Sequence, residues 1–288
     1  STKMNKKIII IFAILLNIVF AQPDVPVDQW KGKKILLIGA HPDDDSQSYG
    51  TLAMLRDHGN EVWVLLLTTG NVGTKDPKMT RDKLSKIRLN EEIDALKILG
   101  IDKSHYINLG YTDGEVEWAD RKEVVGKIVR WIRKIRPDVL MAFDPGWGYV
   151  RWHKTDHRTA SYLAADASRA AEWRLIFPAQ IIHEGLKEWR VPEYLFYSPL
   201  EKDANVTVDI TKYNDKKVTA KSKHLSQFSG MWDDYRGNDP KLLSKAERKE
   251  FNDRISRMKK VDGKIVENFR YYTGYPDGIG SGRGSYPK

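Results

Sequence analysis

The sequence predicts an α/β fold, a Rossmann-like three-layer sandwich with a mainly parallel sheet. Short apolar runs suited to buried strands alternate four times with amphipathic helical stretches in the first half of the chain. Parallel strands require crossover connections, so this alternation favours one sheet that is covered by helices on both faces. Ligands bind such sheets beyond the carboxyl ends of the strands, so we expect the active site there.

The first half of the chain supplies four strand–helix pairs. The strands are predicted from apolar runs at 34–40, 61–67, 105–109 and 138–143. The helices are predicted from apolar residues at helical spacing at 46–58, 80–99, 116–135 and 157–172. Gly59, Gly100 and Pro137 stand where the first three helices should end.

The second half of the chain is less regular. Further strands are predicted at 180–183, 194–197 and 205–210, and helices near 214–229 and 240–258. No internal repeat or linker marks a second domain, so we assign residues 22–272 to a single domain. The Gly-rich segment 273–288 has little to bury and is predicted to be a loop-like tail.

An apolar run near the start of the sequence predicts a secretory signal peptide over residues 1–21. A short basic head, Met4–Lys7, precedes an almost entirely apolar run at 8–20. This run is shorter than the roughly 20 residues that cross a bilayer, and Val19–Ala21 resembles a cleavage signal. We expect cleavage, export to the periplasm or the cell exterior, and no membrane span afterwards; the alternative is an uncleaved anchor. Ser1–Lys3 is interpreted as a cloning remnant.

The composition is that of a globular protein, with 41% apolar and 30% charged residues among 288. The chain contains no cysteine. This excludes disulfide scaffolds, thiolate zinc sites, iron–sulfur clusters and cysteine nucleophiles. Any metal must therefore be held by histidine or carboxylate side chains.

The net charge of +9 raises the question of nucleic-acid binding. Removal of residues 1–21 takes away three lysines and leaves +6. Acidic residues interleave with the most basic stretch, 241–264, which favours a solvated helix face over a nucleic-acid patch. We therefore expect no nucleic-acid partner.

Titratable residues are concentrated where the first predicted strand ends. His41 is followed by Pro42 and then by Asp43–Asp45. One carboxylate is enough to cap the next helix, whereas three close together repel one another unless a cation compensates. The residues therefore favour a metal site in which His41 and Asp44 converge on the ion and Asp43 lies beside it. The simpler alternative is a helix cap without a metal.

Two histidines follow the fourth predicted strand, at positions 153 and 157. Asp156 is predicted to cap the helix 157–172, which places His157 in its first turn and His153 in the preceding loop. A lone histidine is more often structural than a metal ligand, but these two, like His41, lie beyond the carboxyl end of a predicted strand. Two histidines and one carboxylate leave open positions for water and substrate, as in hydrolytic zinc sites.

These residues resemble the PIG-L (LmbE-like) family of zinc-dependent N-deacetylases. The resemblance is carried by Gly39–Asp44 and the later Asp156–Arg158, and it covers roughly residues 33–270. Further matches follow in chain order: Arg88 with Glu91, Ala95 and Leu99–Gly100; Leu109–Gly114; Lys221 with His224–Gln227; and Glu267 with Phe269, the last two sets being expected on the final helices.

The resemblance implies specific roles for these residues. His41, Asp44 and His157 would be the zinc ligands, and Asp43 the general base that activates a metal-bound water for attack on an N-acetyl group. His153 would stabilise the oxyanion or act as an acid. Arg88 and Asp113 match positions that contact the sugar. We add Trp152, which directly precedes His153, as a further substrate contact.

Two positions depart from the family pattern. The family usually has Glu after the paired aspartates, where this chain has Asp45. It also usually spaces its last two histidines three residues apart, whereas His153 and His157 are four apart. The second departure leaves the role of His153 open.

We therefore expect a zinc-dependent hydrolase that deacetylates an N-acetylglucosamine-type sugar or glycan. Fe²⁺, Co²⁺ or Mn²⁺ also suits two histidines and an aspartate. The alternatives are a metal-dependent hydrolase of another bond, such as a phosphoester, and a glycan-binding protein without catalysis. The sequence predicts neither the glycan nor the oligomeric state.

Overall fold

The computed structural model describes residues 22–146, 151 and 153–274. Within them, eight strands form one sheet: β1 (Lys34–Gly39), β2 (Glu61–Thr68), β3 (Tyr106–Tyr111), β4 (Val139–Phe143), β5 (Glu193–Tyr197), β6 (Val206–Asp209), β7 (Lys259–Val261) and β8 (Lys264–Thr273). The helices are α1 (Tyr49–Asp57), α2 (Arg81–Ile98), α3 (Arg121–Ile135), α4 (Thr155–Ala171), α5 (Pro178–Ile182), α6 (Asn214–Lys221), α7 (Ser229–Asp233) and α8 (Lys245–Ile255).

The sheet has the strand order β3-β2-β1-β4-β5-β8-β6, with β7 paired to β8. The first five strands in this order are parallel, whereas β8 runs antiparallel to β5, β6 and β7. The prediction of a mainly parallel α/β sandwich is confirmed. The strand β1 lies at the centre of the parallel region. Its carboxyl end is therefore in the middle of the sheet edge at which the parallel strands end.

Helices cover both faces of the sheet, as the buried strands require. Ile35 and Leu37 of β1 pack into the core that includes α1, α2 and α6, while Leu36 and Ile38 pack into the core that includes α3 and α4. This alternation follows from the two-residue period of a strand. No helix in the described ranges combines the length and apolarity needed to cross a membrane.

The helices α2 and α3 begin at side-chain caps. The Thr80 side chain accepts a hydrogen bond from the amide of Lys83 at the start of α2. The Asp120 side chain accepts one from the amide of Glu123 at the start of α3. Because Asp120 caps α3, the helix predicted from residue 116 is divided into a short 3-10 turn at 116–118 and α3 proper.

Several predictions for the second half are wrong in detail. The strand predicted at 180–183 is the helix α5, which begins with Pro178 at its first position, where proline favours a helix. The two last predicted helices are shorter: α6 ends at Lys221, and α8 runs from Lys245 to Ile255. The strands β7 and β8 were not predicted.

Glu267 and Phe269, expected on a helix, lie on β8. The Glu267 carboxylate accepts hydrogen bonds from the amides of Gly50 and Thr51, 3.0 and 2.8 Å away, in the first turn of α1. The residue before α1, Ser48, makes no side-chain cap. The last strand of the sheet therefore caps the helix that follows the turn after β1.

Candidate metal centre and substrate cavity

The turn after β1 is closed by one carboxylate oxygen. Asp44 Oδ2 accepts hydrogen bonds from the amides of Ala40 and His41, at 2.8 and 2.7 Å. A side chain on Gly39 would stand 3.2 Å from the Asp44 Cβ and 2.9 Å from Leu66 Cδ2. Glycine therefore permits the chain to fold back at this point, and Asp44 Oδ1 remains directed toward α4.

Three side chains from this turn and from α4 form a group suited to a metal ion. His157 Nε2 lies 3.0 Å from Asp44 Oδ1, and His41 Nδ1 lies 3.5 Å from Asp44 Oδ2. One ligand atom from each of the three residues lies within 4.8 Å of the others. Two ligands of a tetrahedral zinc ion, each about 2.1 Å from the metal, are about 3.4 Å apart. The predicted ligands thus come together at a spacing that fits such an ion.

The other nitrogen of His41 points toward two further carboxylates. His41 Nε2 lies 3.0 Å from Asp113 Oδ1 and 3.1 Å from Asp156 Oδ2. Asp156 also accepts hydrogen bonds from the amides of Gly114, at 2.7 Å, and Val116, at 3.3 Å. His41, Asp113 and Asp156 form a second group with ligand spacing. We favour the first group, because metal-bound histidines normally donate their second N–H to a carboxylate.

The carboxylates around His41 favour positive charge at this point. Burial lowers the pKa of His41, but the charge of Asp44 and hydrogen bonds to Asp113, Asp156 and Asp44 outweigh it and raise the pKa to about 12. Burial likewise raises the pKa of Asp44, yet the two histidines bring it far below its usual range. These shifts indicate a site that attracts a cation, either as a proton or as a metal ion.

Asp43 lies beside the ligands in an unusual backbone conformation. Its φ of 99° falls in the left-handed region, which aspartate and asparagine tolerate better than most residues. Its amide donates to Glu92 Oε2, 3.1 Å away, and this bond holds the conformation. Burial and the charge of Asp44 raise the pKa of Asp43 to about 7.

The ligand group lies in the wall of a cavity of about 820 Å³. This cavity also adjoins several of the predicted functional residues: Asp43, Arg88, Asp113 and His153. Trp152 and its neighbours Trp147 and Tyr149 lie outside the described residues. Phe228 and Phe251, from a small apolar cluster near α8, complete part of the wall.

The predicted His153 is held by the backbone. Its Nε2 lies 2.8 Å from the carbonyl oxygen of Asp144, which can only accept, so Nε2 carries the proton. Burial lowers the pKa of His153. Asp144 in turn is fully buried and forms an ion pair with Arg270 of β8. His153 therefore faces the cavity as a neutral ring fixed at one nitrogen.

The two predicted sugar contacts also organise the protein itself. Arg88 donates to the carbonyl oxygens of Gly70 and Gly73 in the loop after β2. Asp113 accepts from the amide of Gly73, at 3.2 Å, in addition to its contact with His41. Both side chains thus fix the loop that borders the cavity.

Sequence reasoning missed the part played by Asp156. The prediction that it caps the following helix is wrong, since α4 begins at Thr155 after Lys154, and Asp156 accepts from His41 and from residues 114 and 116 instead. Its position inside the Asp156–Arg158 motif was the available signal. A carboxylate in the first turn of a helix looks the same in sequence whether it faces the helix or a distant loop.

Two buried acidic residues lie behind the metal ligands. Asp45 and Glu92 are both fully buried. Burial raises the pKa of Asp45 to about 7 and that of Glu92 well above its usual range. Their neighbour Tyr49 bonds to His224 Nε2 at 2.7 Å. Asp45, the position at which the family usually has Glu, therefore lies behind the turn that carries His41 and Asp44.

Comparison with known proteins agrees with this geometry. The model of the PIG-L family, described as GlcNAc-PI de-N-acetylase, matches residues 36–168. The chain is 35% identical to the diacetylchitobiose deacetylase of Thermococcus kodakarensis over 208 residues, which is 70% of this chain and 74% of that protein. It is 27% identical over 250 residues to a 1D-myo-inositol 2-acetamido-2-deoxy-alpha-D-glucopyranoside deacetylase of Kineococcus radiotolerans, covering 68% and 69% of the two chains.

A solved structure is similar in sequence and in fold. The N,N'-diacetylchitobiose deacetylase of Pyrococcus horikoshii superposes with a TM-score of 0.66 and 28% identity, covering 83% of each chain. The motifs, the sheet and the relatives agree with one another. The chain therefore belongs to the PIG-L family.

Proposed function

We propose that the protein is a metal-dependent hydrolase that removes the acetyl group from an N-acetylglucosamine-type sugar or glycan. The observation that carries the proposal is the convergence of His41, Asp44 and His157 on one point of a cavity that Asp43 also lines. The names of the relatives support the amide bond of an N-acetyl sugar as the one that is cleaved.

The donor set suits zinc, with Fe²⁺, Co²⁺ or Mn²⁺ as further candidates. When bound, the ion would act as a Lewis acid toward the amide carbonyl and would lower the pKa of water. Asp113 and Asp156 hold His41 through Nε2, which leaves Nδ1 available as a ligand atom.

Asp43 is the proposed general base. It takes a proton from the attacking water as the new C–O bond forms, and it returns that proton to the nitrogen as the C–N bond breaks. The products are acetate and a free amino sugar. The backbone bond to Glu92 keeps the Asp43 side chain at the cavity, beside the ligands.

His153 is the proposed donor to the oxyanion. Because its Nε2–H is bonded to Asp144, it can donate only from a protonated Nδ1. Burial disfavours that form in the resting protein. Negative charge that develops on the substrate oxygen would favour it, so the proton would be most stable in the transition state.

Arg88, Asp113 and Trp152 remain proposed substrate contacts. Arg88 and Asp113 line the cavity beside the loop after β2, where a sugar hydroxyl can reach them. Trp152, predicted from its place beside His153, would supply an aromatic face for a sugar ring.

The substitution Asp43→Asn tests the base. Asparagine keeps the shape and tolerates a positive φ. We expect acetate release from N,N'-diacetylchitobiose to fall by about 10² to 10⁴ while the metal content stays the same. Asp94→Asn, an exposed site on α2, is the control and should keep the wild-type rate.

Two outcomes would contradict these proposals separately. A metal-replete Asp43→Asn protein with the wild-type rate would rule out Asp43 as the base. A metal-replete wild type that releases acetate from no N-acetylglucosamine compound would rule out the deacetylase. Treatment with a chelator should abolish the activity, and zinc should restore it.

We also propose that the protein acts outside the cytoplasm, because residues 4–21 have the pattern of a secretory signal. Cell fractionation should place the full chain in the periplasm or the medium. A variant that lacks residues 4–21 should stay in the cytoplasm; equal distribution of the two would contradict the proposal.

A further inference from the structure

Four cations in the described part of the substrate cavity have no acidic partner within ion-pair distance. Lys154, Lys221, Arg254 and Arg257 all line it. Within the described residues, none of these four side chains has a carboxylate within 4.0 Å; Arg254 donates to the carbonyl of Gln227 at 3.0 Å. The carboxylates of Asp43, Asp44 and Asp113 line the same cavity, so its wall carries charges of both signs.

Two other cations nearby are paired. On α8 itself, Lys249 contacts Asp253 at 2.7 Å. Arg236 contacts Glu247 of the same helix at 2.8 Å. Lys245 and Arg248 of α8 also have no carboxylate within 4.0 Å among the described residues. What sets Lys221, Arg254 and Arg257 apart is that they line the substrate cavity.

Three of the four cations come from two neighbouring elements. Lys221 is the last residue of α6, and Arg254 and Arg257 stand at the end of α8 and just beyond it. Burial, together with the charges of Lys217, Arg254 and Arg257, outweighs the charge of Glu267 and lowers the pKa of Lys221 to about 8. Helix dipoles favour cations at these positions, but they do not remove the repulsion between cations that face one space.

We propose that Lys221, Arg254 and Arg257 bind an anionic group on the sugar, namely a sulfate, phosphate or carboxylate. This inference rests on the proposed function and specifies its substrate class. An anion between these side chains would offset their repulsion, and the forked donors of arginine suit oxyanions. The charge of Arg254 also reaches Asp43, so the anion and the acetamide would occupy one cavity.

The proposal distinguishes this chain from the two diacetylchitobiose deacetylases with which it was compared above. Diacetylchitobiose, the sugar in two of those names, carries no charge. A protein that binds only neutral sugars has no need of unpaired cations beside its acetamide site. We therefore expect an acidic N-acetylated glycan to bind more tightly than its neutral counterpart.

The test is a binding measurement that does not depend on turnover. Calorimetry on the metal-loaded full chain at low salt compares N-acetylglucosamine with its 6-sulfate, its 6-phosphate and N-acetylmuramic acid. We expect at least one acidic sugar to bind at least tenfold more tightly than N-acetylglucosamine. The three acidic sugars also distinguish sulfate, phosphate and carboxylate as the bound group. The preference should shrink as salt is added.

Variants locate the preference. In Arg254→Gln/Arg257→Gln, two exposed sites, the preference should fall below threefold. The matched loss of two charges in Lys245→Gln/Lys249→Gln, elsewhere on α8, should leave it intact. A preference that persists in the arginine variant would place the anion elsewhere, for example on the metal, and would overturn the proposal.

The failure of this inference can be told apart from the failure of the proposed function. Equal binding of neutral and acidic sugars, with acetate release, overturns only the anion site. Preferential binding of an acidic sugar that is lost in the arginine variant, without acetate release from any sugar, supports the anion site and contradicts the deacetylase.

Discussion

Replacing Asp156 by asparagine should weaken metal binding without moving a metal ligand. Three donors converge on the two Asp156 oxygens: His41 Nε2 at 3.1 Å and Gly114 N at 2.7 Å on Oδ2, and Val116 N at 3.3 Å on Oδ1. Asparagine keeps one oxygen and turns the other into a donor. The best arrangement keeps the oxygen toward His41 and Gly114 and leaves Val116 unpaired.

The magnitude follows from the bonds that change. The bond to His41 loses its charge assistance, which makes it roughly half as strong. A loss of about 1.4 kcal/mol is a factor of ten in affinity, and changes at such carboxylates typically cost 10- to 100-fold in metal affinity. We expect a dissociation constant for zinc that is raised about 10- to 100-fold. The unpaired amide should lower the free energy of unfolding by about 1–3 kcal/mol.

The assay is competition for zinc with a chromophoric chelator. Asp166→Asn is the control: it lies on the same helix, its side chain is 44% exposed, and its ion-pair partner is the exposed Arg121. The control should bind zinc as the wild type does. A folded Asp156→Asn protein whose zinc affinity stays within twofold of wild type would refute the idea that Asp156 supports His41.

Two further predictions concern stability. Arg270→Met should lower the free energy of unfolding in urea by about 1–3 kcal/mol, because the fully buried Asp144 loses the closer of its two ion-pair partners and keeps only Arg151, 3.6 Å away; a loss below 1 kcal/mol would contradict this. Burial raises the pKa of Glu91 to about 7 despite hydrogen bonds from Ser226. The folded state therefore keeps a proton that the unfolded state releases above its usual value of 4.5, so this group costs stability as pH rises from about 4.5 to 7, by at most about 1.4 kcal/mol per pH unit. Glu91→Gln should remove that slope, and identical pH profiles of the two proteins would contradict the prediction.

The parallel half of the fold was predictable because its signals are local. The strands β1 to β4 are apolar runs, and the helices between them have clear apolar faces and stops. The prediction of a strand at 180–183 was wrong because a short apolar run fits either a strand or a helix. Pro178 decides in favour of the helix. The strand β8 escaped because the matched residues Glu267 and Phe269 were expected on a helix.

The candidate site was predictable as a set of residues but not as a set of contacts. His41, Asp44 and His157 were named because their residue types and positions after strands suggest ligands, and they do lie together. The support from Asp156, more than 100 residues from His41, depends on how α4 packs against the loop at 114–116. Contacts of that range leave no periodic trace in a single sequence.

The hydrogen bonds from Gly50 and Thr51 to Glu267 also bear on the order of folding. They join residues 217 and 216 positions apart, so α1, the helix that follows the turn with His41 and Asp44, gains its cap only after nearly the whole chain has been made. The strand β6 also pairs late, since β8 is its only partner among the described strands. A nascent chain can form the early parallel strands, but loops of this length close late. We therefore expect tight metal binding to appear only once the last strand has joined the sheet, which keeps the half-made protein from acting as a hydrolase.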